Sequence, residues 1–185
     1  MAVLQTIRNL FVPVRESEPE VVMPARRTSY TIHPLTEKNL EEVLRLNLRC
    51  FKNGENYTKH TFSYLLNEPK ALGYQIVAAG GEMVGFVCIL INEDGAAHIT
   101  TIGIAPEHRR RGLAELLLIH LENALKIRSI GAVMLEVRVG NLAAQSLYKR
   151  GGYSIVQRVS SYYNNGEDGF LMMKSLVSVV PDIER

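Results

Sequence analysis

The stretch from Ala97 to Lys126 constrains the fold of this chain more than any other. Its first half, His98 to Ala105, is short, apolar and rich in isoleucine and threonine, and Pro106 ends it, which is typical of a buried strand. From Leu113 onward, apolar residues recur at the spacing of a helix face, on one stripe (Leu116, Leu117, Leu121, Ala124) and a second flank (Leu118, Ile119, Leu125). The stretch therefore predicts a strand, an Arg-Arg-Arg-Gly turn and a long, mostly buried helix.

The turn between this strand and helix has the composition of an anion-binding site. The first turn of a helix presents unpaired backbone N–H groups and the positive end of the helix dipole. Gly112 and Ala114 allow an anion to approach the main chain, and Arg109, Arg110 and Arg111 supply forked donors for phosphate oxygens. A solvated basic loop that caps a core helix has the same residues, so the turn alone does not separate the two interpretations.

Size, charge and cysteine content exclude several classes of protein. At 185 residues the chain is most simply one domain with a tail, and it contains no apolar run of membrane-spanning length. The 21 basic and 19 acidic residues nearly balance, which does not favour nucleic-acid binding. Cys50 and Cys88 lack the spacing of metal ligands, so we expect reduced thiols in a cytoplasmic protein that needs no metal, membrane or nucleic acid.

The first 27 residues differ from the rest of the chain. Leu4, Ile7, Leu10 and Phe11 fit a short amphipathic helix, but residues 16–25 are acidic and without period. The apolar core and cleavage site of a secretory signal are missing. We expect residues 1–27 to be an extension, mobile or strapped over the surface, with a targeting segment as the alternative. Residues 28–177 then form the domain and residues 178–185 a tail.

Short strands and helices follow one another through the domain. Strands are predicted at residues 29–33, 74–79, 82–92, 97–105, 132–139, 153–159 and 169–174. Helices are predicted after Thr36, with an apolar face of Leu40, Val43, Leu44 and Leu48, and at residues 59–66, from 113 onward and at 141–150. This order predicts a mixed α/β sheet with helices on both faces.

One predicted strand carries a carboxylate where an apolar residue is expected. Val133, Leu135 and Val137 share one face of the strand, and Glu136 and Arg138 share the other. A carboxylate within a central strand is costly to bury unless it is paired or chemically needed. Glu136 is therefore a candidate for chemistry, with a simple ion pair as the alternative.

Two motifs resemble those of a known family, the GCN5-related N-acetyltransferases (GNAT). Arg109-x-x-Gly112-x-Ala114 resembles the family's acetyl-CoA pyrophosphate loop, and the segment from Leu135 to Tyr148 is similar to the second signature of its protein N-terminal acetyltransferases. The tail segment from Tyr162 to Met172 is similar to the same branch. The resemblance implies a GNAT fold: a central mixed, mostly antiparallel seven-stranded sheet flanked by helices and splayed between the fourth and fifth strands.

Two branches of the family fit the chain to different degrees. Ribosomal-protein alanine acetyltransferases typically carry Pro-Trp after the phenylalanine that corresponds to Phe51, whereas Lys52-Asn53 follows it here. The next residues, Glu55, Asn56 and Tyr57, look more like the archaeal and eukaryotic enzymes that acetylate protein N-termini. The expected partners are protein or peptide N-termini, ribosomal proteins among them, and the oligomeric state stays open.

Acetyl-CoA is the implied cosubstrate, and the resemblance assigns chemistry to a few residues. Transfer to an amine needs a base, an oxyanion donor and an acid for the thiolate. An α-amino group titrates near about 8 and a lysine near about 10.4, so the base has a modest task. Glu136 and His98 are expected to accept the proton through a water, and Tyr148 to protonate the thiolate, which requires a locally lowered phenol pKa. A backbone N–H near Ile104 is the expected oxyanion donor.

The remaining site residues are expected to bind coenzyme or acceptor. The coenzyme contacts implied are Ile102, Gly103, Ile104, Arg109, Arg110, Arg111, Gly112, Leu113, Ala114, Asn141, Ser146 and Tyr148. Asn141 is expected to hold either the pantetheine arm or the helix start. The acceptor groove is expected to contain Phe51, Glu55, Tyr57, Tyr162 and Tyr163.

Each of these assignments has a purely structural alternative. His98 fits a strand-end histidine bonded to a carbonyl, Tyr148 fits an ordinary core residue, and loop aromatics also pack for stability alone. His120, on the apolar stripe of the long helix, is expected to be structural. For the whole protein, a small-molecule amine acetyltransferase and a non-catalytic acetyl-CoA-binding regulatory module remain as alternatives.

Overall fold

The computed structural model describes residues 29–51 and 56–177, and within them seven strands form a single sheet. The strands are β1 (Tyr30–Pro34), β2 (Ala71–Ala78), β3 (Met83–Ile91), β4 (Ala97–Ile104), β5 (Ala132–Arg138), β6 (Ser154–Val159) and β7 (Gly169–Ser175). Their order across the sheet is β1-β2-β3-β4-β5-β7-β6. Only the β4–β5 pair is parallel, which confirms the mixed, mostly antiparallel sheet.

Four helices flank this sheet in the described residues. They are α1 (Leu40–Cys50), α2 (Lys59–Asn67), α3 (Leu113–Ile127) and α4 (Leu142–Arg150). Short 3₁₀ turns at Glu37–Asn39 and Pro106–His108 precede α1 and α3 and were not predicted.

Helices cover both faces of the sheet, as the element order predicts. Phe62 of α2 packs edge-on against Phe86 of β3, with ring centroids 5.8 Å apart. His120 of α3 packs in the same way on Tyr74 of β2, at 4.5 Å. Gln75 is the cross-strand partner of Phe86, and its neighbour Tyr74 faces the opposite side. Therefore α2 and α3 lie on opposite faces of the sheet.

The sheet opens between β4 and β5. Only two residue pairs join these strands, Ala97 with Val133 and His98 with Met134, and the strands part beyond them. This confirms the predicted splay between the fourth and fifth strands. The opening lies near the end of β4 that leads into α3, so the arginine turn stands beside it.

The face that α1 buries differs from the predicted one. Leu48 was expected on the apolar face but is 60% exposed, while Val43, Leu46 and Asn47 are buried. The amide Nδ2 of Asn47 donates to the backbone oxygen of Tyr57 at 3.2 Å. The helix is therefore rotated so that a polar side chain ties it to the segment before α2, which a hydrophobic pattern does not reveal.

The buried stripe of α3 is narrower than predicted. Leu117, Leu118, Leu121 and Leu125 are buried, but Leu116 and Ile119, assigned to the apolar faces, are 48% and 50% exposed. His120 is exposed as well, although its ring packs edge-on against Tyr74. The reason is that α3 packs against one face of the sheet, so about half of the helix surface faces solvent.

Several expectations fall on residues that the structure does not describe. The extension (1–27), the tail (178–185) and the segment containing Lys52, Asn53 and Glu55 lie outside the described residues. Among the helices that are described, none combines the length and the apolar character needed to cross a membrane.

Candidate active site

A β-bulge shapes the strand that borders the opening. On β3, Cys88 pairs with Thr101 and Ile89 pairs with Ile99, so Thr100 is an extra residue in β4. The Thr100 hydroxyl donates to the Cys88 oxygen at 2.9 Å, and the Thr100 carbonyl accepts the Tyr57 hydroxyl at 2.8 Å. The bulge thus bends β4 next to the parted strands and is held in place from two sides. Nothing in the sequence pattern indicates it.

Beyond the bulge, backbone groups of β4 face the opening. The Ala105 N–H, just beyond β4, donates to the Val84 carbonyl of β3 at 2.8 Å. In an antiparallel ladder, hydrogen-bonded residue pairs alternate with pairs whose backbone groups point away from the neighbouring strand. The N–H and C=O groups of Ile104 and Ile102 therefore point away from β3, towards β5. The Ile104 carbonyl accepts Arg109 Nε at 3.1 Å. The Ile104 N–H is accordingly available to a group lying between the strands.

Two adjoining cavities fill the opening. The larger, about 730 Å³, is lined by β4 from Ile99 to Ile104 and by β5 from Leu135 to Arg138. The smaller, about 600 Å³, lies at the start of α3 and includes Ser146. The cavities share six lining residues: Ile104, Arg109, Arg110, Ala114, Ala143 and Leu147. Together they form a continuous path from the arginine turn to the middle of the sheet.

Glu136 and His98 meet at the wall of this path. Because His98 pairs with Met134, the residue two positions further along β5 presents its side chain on the same face. His98 Nε2 lies 2.6 Å from Glu136 Oε2, and the two side chains are 26% and 19% exposed. Glu136 lines the larger cavity, whereas His98 stands outside its lining. The carboxylate is thus the group presented to a ligand, and the histidine supports it.

Opposing effects act on the Glu136 carboxyl group. Its burial raises the pKa, but the hydrogen bond and charge of His98 and a hydrogen bond from Tyr162 together outweigh burial and lower the pKa. In turn, burial and the negative charge of Glu136 raise the pKa of Tyr162 to about 12. Glu136 is therefore ionised at neutral pH, with Tyr162 as a protonated donor to it.

Tyr148 on α4 is buried and also lines the larger cavity. Its burial raises the pKa of the phenol to about 12. This is opposite to the local lowering that full proton transfer to a thiolate requires, because a thiol titrates near about 8.5. The phenol is consequently neutral at every working pH and is suited to donate a hydrogen bond.

The three arginines of the turn, Arg109, Arg110 and Arg111, make different contacts. Arg109 donates to the carbonyls of Ile104 and Cys50, the latter at 3.2 Å, and Arg111 donates to the Tyr30 hydroxyl at 2.9 Å and to the Glu107 carbonyl at 3.2 Å. Both therefore brace the turn itself. Of these three arginines, Arg109 and Arg110 line the cavities, and Arg110 has a left-handed backbone with φ of 62°.

The start of α3 is shaped by small residues. Gly112 is the N-cap with φ of 77°, a conformation that favours glycine, and Leu113 and Ala114 follow it as the first helical residues. Gly112 and Ala114 line the smaller cavity, so backbone N–H groups of the first turn border it. Gly103, on β4, leaves no room for a side chain, since a Cβ there would lie 2.8 Å from the Phe86 ring.

Asn141 fulfils one of its two predicted roles. Its Oδ1 accepts the backbone N–H of Ala144 at 3.1 Å, so it caps the start of α4. The side chain also lines the larger cavity. Small residues follow it at Ala143 and Ala144, which keep the α4 side of the cavity open.

Aromatic residues form the outer wall of the larger cavity. Phe51, Tyr57, Tyr162 and Tyr163 all line it, and the rings of Tyr162 and Tyr163 pack edge-on at 5.0 Å. Burial raises the pKa of Tyr57 and raises that of Tyr163 to about 12. Four of the five residues predicted for the acceptor groove thus lie together, and the fifth, Glu55, is outside the described residues.

Sequence reasoning missed an ion pair that joins the aromatic wall to β5. Arg138 pairs with Glu167, which lies 29 positions away in the loop before β7. The alternation of Glu136 and Arg138 on one strand face was a usable signal, since a charged residue next to a candidate carboxylate needs a partner. The spacing of residues in the sequence does not identify Glu167 as that partner.

The described architecture and site agree with one family. Residues 40–153 match the model of the acetyltransferase (GNAT) family, and the chain belongs to it. Membership of this family identifies the chain as an acyltransferase.

Similar proteins are known from bacteria and archaea. The chain is 31% identical to a Bacillus subtilis (strain 168) protein provisionally named ribosomal protein bS18-alanine N-acetyltransferase, over 79% of this chain and 95% of that one. It is 28% identical to an N-alpha-acetyltransferase of Sulfurisphaera tokodaii, over 80% and 93%. The crystal structure of the ribosomal-protein-S18-alanine N-acetyltransferase from Escherichia coli matches with a TM-score of 0.74 at 26% identity, covering 85% of this chain and 100% of that one. These findings confirm the predicted family and fold.

Proposed function

We propose that the protein transfers acetyl from acetyl-CoA directly to the α-amino group of protein N-termini. The observation that carries the proposal is the path between β4 and β5, with an anion site at one end, Glu136 in its wall and four aromatic residues at the other end. The names of the relatives from Bacillus subtilis and Sulfurisphaera tokodaii support this choice of acceptor.

The residues at the arginine turn fit the phosphates of coenzyme A. Backbone N–H groups at the start of α3 and the Arg110 side chain border the smaller cavity, and Gly112 and Ala114 permit close approach. The N–H of Ile104 faces the space between the strands, where a thioester carbonyl would lie. The donor end of the path therefore binds, orients and polarises the acetyl group.

The groups at the acceptor end of the path then support transfer of the acetyl group from sulfur to nitrogen. The neutral amine attacks the thioester carbon, a C–N bond forms, the C–S bond breaks and coenzyme A leaves as the thiolate. The amine proton passes towards ionised Glu136, directly or through a water, and His98 stabilises the carboxylate that accepts it. Tyr148 donates a hydrogen bond to the sulfur, and solvent completes its protonation.

The proposal is tested by incubating the purified full chain with labelled acetyl-CoA and synthetic peptides that begin Ala, Ser, Met-Leu and Met-Glu. Each peptide is paired with a copy whose α-amino group is blocked but which retains a lysine. We expect label on the free peptides and none on the blocked copies. A parallel reaction contains spermidine in place of a peptide, and labelling of spermidine but of no peptide indicates a small-molecule acceptor. Coenzyme binding without any turnover indicates a regulatory module, and either result refutes the proposal.

A further inference from the structure

Glu167 links two parts of the acceptor side of the cavity. Its Oε1 accepts the backbone N–H of Gly140 at 2.9 Å, and its other oxygen pairs with Arg138. Arg138 also donates to Asn165 Oδ1 at 3.1 Å, and its guanidinium lies 3.8 Å from the centre of the Tyr163 ring. We call Arg138, Gly140 and Glu167 the loop clasp.

The clasp connects the loop between β6 and β7 to the end of β5. That loop carries Tyr162 and Tyr163, which line the larger cavity together with Glu136, and Tyr162 helps to lower the pKa of the Glu136 carboxyl group. Gly140 immediately precedes Asn141, the cap of α4. Glu167 thus fixes the tyrosine-bearing loop to the junction between β5 and α4, beside the point where Arg138 of β5 pairs with Gly169 of β7.

We propose that Arg138 and Glu167 are positioning residues, which hold Tyr162 and Tyr163 in a preformed wall against which the first residues of the acceptor bind. The inference rests on the proposed function, because it assigns the clasp to the acceptor and not to coenzyme A. A wall that is ordered in advance reduces the entropy lost when a flexible peptide binds. Loss of the clasp therefore weakens acceptor binding and leaves the donor site intact.

A second ion pair in the same loop provides a matched control. Arg158 pairs with Asp168 Oδ2 at 2.7 Å, and Asp168 Oδ1 accepts the Ser161 N–H at 2.9 Å. This pair joins the loop to β6, and its hydrogen bonds go to Arg158 and the Ser161 N–H and not to the side chain of Tyr162 or Tyr163. If an ion pair at the loop matters only for stability, breaking either pair has the same consequence.

The test compares Glu167→Gln and Gly140→Ala with Arg158→Gln. Glu167→Gln removes the charge that Arg138 pairs with, and Gly140→Ala places a Cβ 2.8 Å from Glu167 Oε1, which displaces the carboxylate without altering it. The KM for an Ala-initiated peptide, the KM for acetyl-CoA and kcat are measured for each full-length variant. Hydrogen exchange of the loop amides, residues 160–167, is followed in parallel.

For both clasp variants we expect the peptide KM to rise about tenfold, as for the loss of a charge-assisted hydrogen bond, with kcat and the acetyl-CoA KM within about twofold of wild type. Loop exchange should accelerate in both. Arg158→Gln should leave the peptide KM within about twofold. An unchanged peptide KM in the clasp variants, or an equal rise in Arg158→Gln, overturns the inference.

Failure of the proposed function is recognised separately. If the wild-type protein acetylates no peptide, the acceptor assignment is wrong at the outset, before any variant is compared. The exchange measurement still shows whether the clasp orders the loop. Unchanged exchange in both clasp variants then overturns the positioning role on its own.

Discussion

Two glutamates of this molecule have nearly the same partners and very different surroundings. Glu136 Oε2 lies 2.6 Å from His98 Nε2, the Tyr162 phenol helps to lower the pKa of this carboxyl group, and Glu136 borders the cavity. Glu122, on α3, has a side chain that is only 8% exposed and lies in packed interior. Both combine a carboxylate, a nitrogen base and a tyrosine.

The buried group is fully occupied by protein partners. Tyr153 donates to Glu122 Oε1 at 3.1 Å, and Lys174 Nζ donates to Oε2 at 2.5 Å. Burial, with the nearby Glu122 charge, raises the pKa of Tyr153, so the phenol stays a donor. Each Glu122 oxygen thus has a partner within the fold.

This difference shows that the role of a paired carboxylate depends on whether a ligand can reach it. Around Glu122 the partners replace water and hold α3 to β7, so the expected role is stability. Around Glu136 they tune a carboxylate that a ligand can reach, so the expected role is chemistry. Tyr148 stands between the two groups: it lines the cavity, and its ring lies 5.8 Å from that of Tyr153. Variants at these positions should separate activity from stability.

Glu136→Gln should give the largest effect. The substitution keeps the shape but removes the charge that accepts the amine proton, so we expect kcat/KM for peptide to fall about 1,000-fold, within the range of general base catalysis. Acetyl-CoA binding, measured by titration calorimetry, should be unchanged. Activity within tenfold of wild type contradicts the role assigned to Glu136.

Lys174→Met should give the converse result. It leaves the Glu122 charge buried without its cation, so we expect the free energy of unfolding to fall by about 3 kcal/mol in urea denaturation. The control is Arg49→Met, since Arg49 forms exposed pairs with Glu82 and Glu107 and should cost less than about 1 kcal/mol. Turnover per folded molecule should stay far closer to wild type in both variants than in Glu136→Gln. Equal losses of stability would show that burial of Glu122 does not matter.

Tyr148→Phe tests the residue between the two groups. The ring and its packing on Tyr153 are kept while the hydroxyl that donates to the developing negative charge is lost, so we expect kcat to fall about 100-fold with little change in the melting temperature. Wild-type turnover in this variant removes Tyr148 from the mechanism.

His98→Asn should give the smallest loss at neutral pH but a shift in the pH profile. Without the histidine, burial is less opposed and the pKa of Glu136 rises. The base must be deprotonated, so the acidic limb of kcat/KM against pH should move to higher pH. The lowered pKa also contributes stability that is present above the unfolded pKa of glutamate and is lost as pH falls through the folded value. Tyr162→Phe should shift the limb in the same direction, by less.

Most of the fold could be predicted from the sequence, because strand alternation, helix spacing and glycine or proline boundaries are local signals. The seven strands and four helices in the described residues all appear, with ends within a few residues of the predicted ones. The errors at Leu48, Leu116 and Ile119 have a tertiary cause: which side of an apolar helix is covered depends on the sheet it meets.

The candidate site was predictable where strand position and motif coincide. His98 and Glu136 meet because their strands are neighbours, and the glycine of the turn caps α3 as expected. The bulge at Thr100 and the burial of Glu122 were not predictable, because each depends on residues far away in the chain. For the same reason the separate roles of the turn arginines could not be predicted: Arg111 braces the backbone, Arg110 lines the cavities and Arg109 does both.

The parting of β4 and β5 has a mechanical consequence. Two residue pairs join β4 to β5, so backbone pairing alone does not fix the width of the gap between these strands. That task falls in part on α3, which packs against β2, β3 and β4 in one half of the sheet and is bonded through Glu122 to Lys174 of β7 in the other half. Substitutions behind the sheet, well away from any reacting atom, should therefore act on the reaction by altering the breadth of the gap.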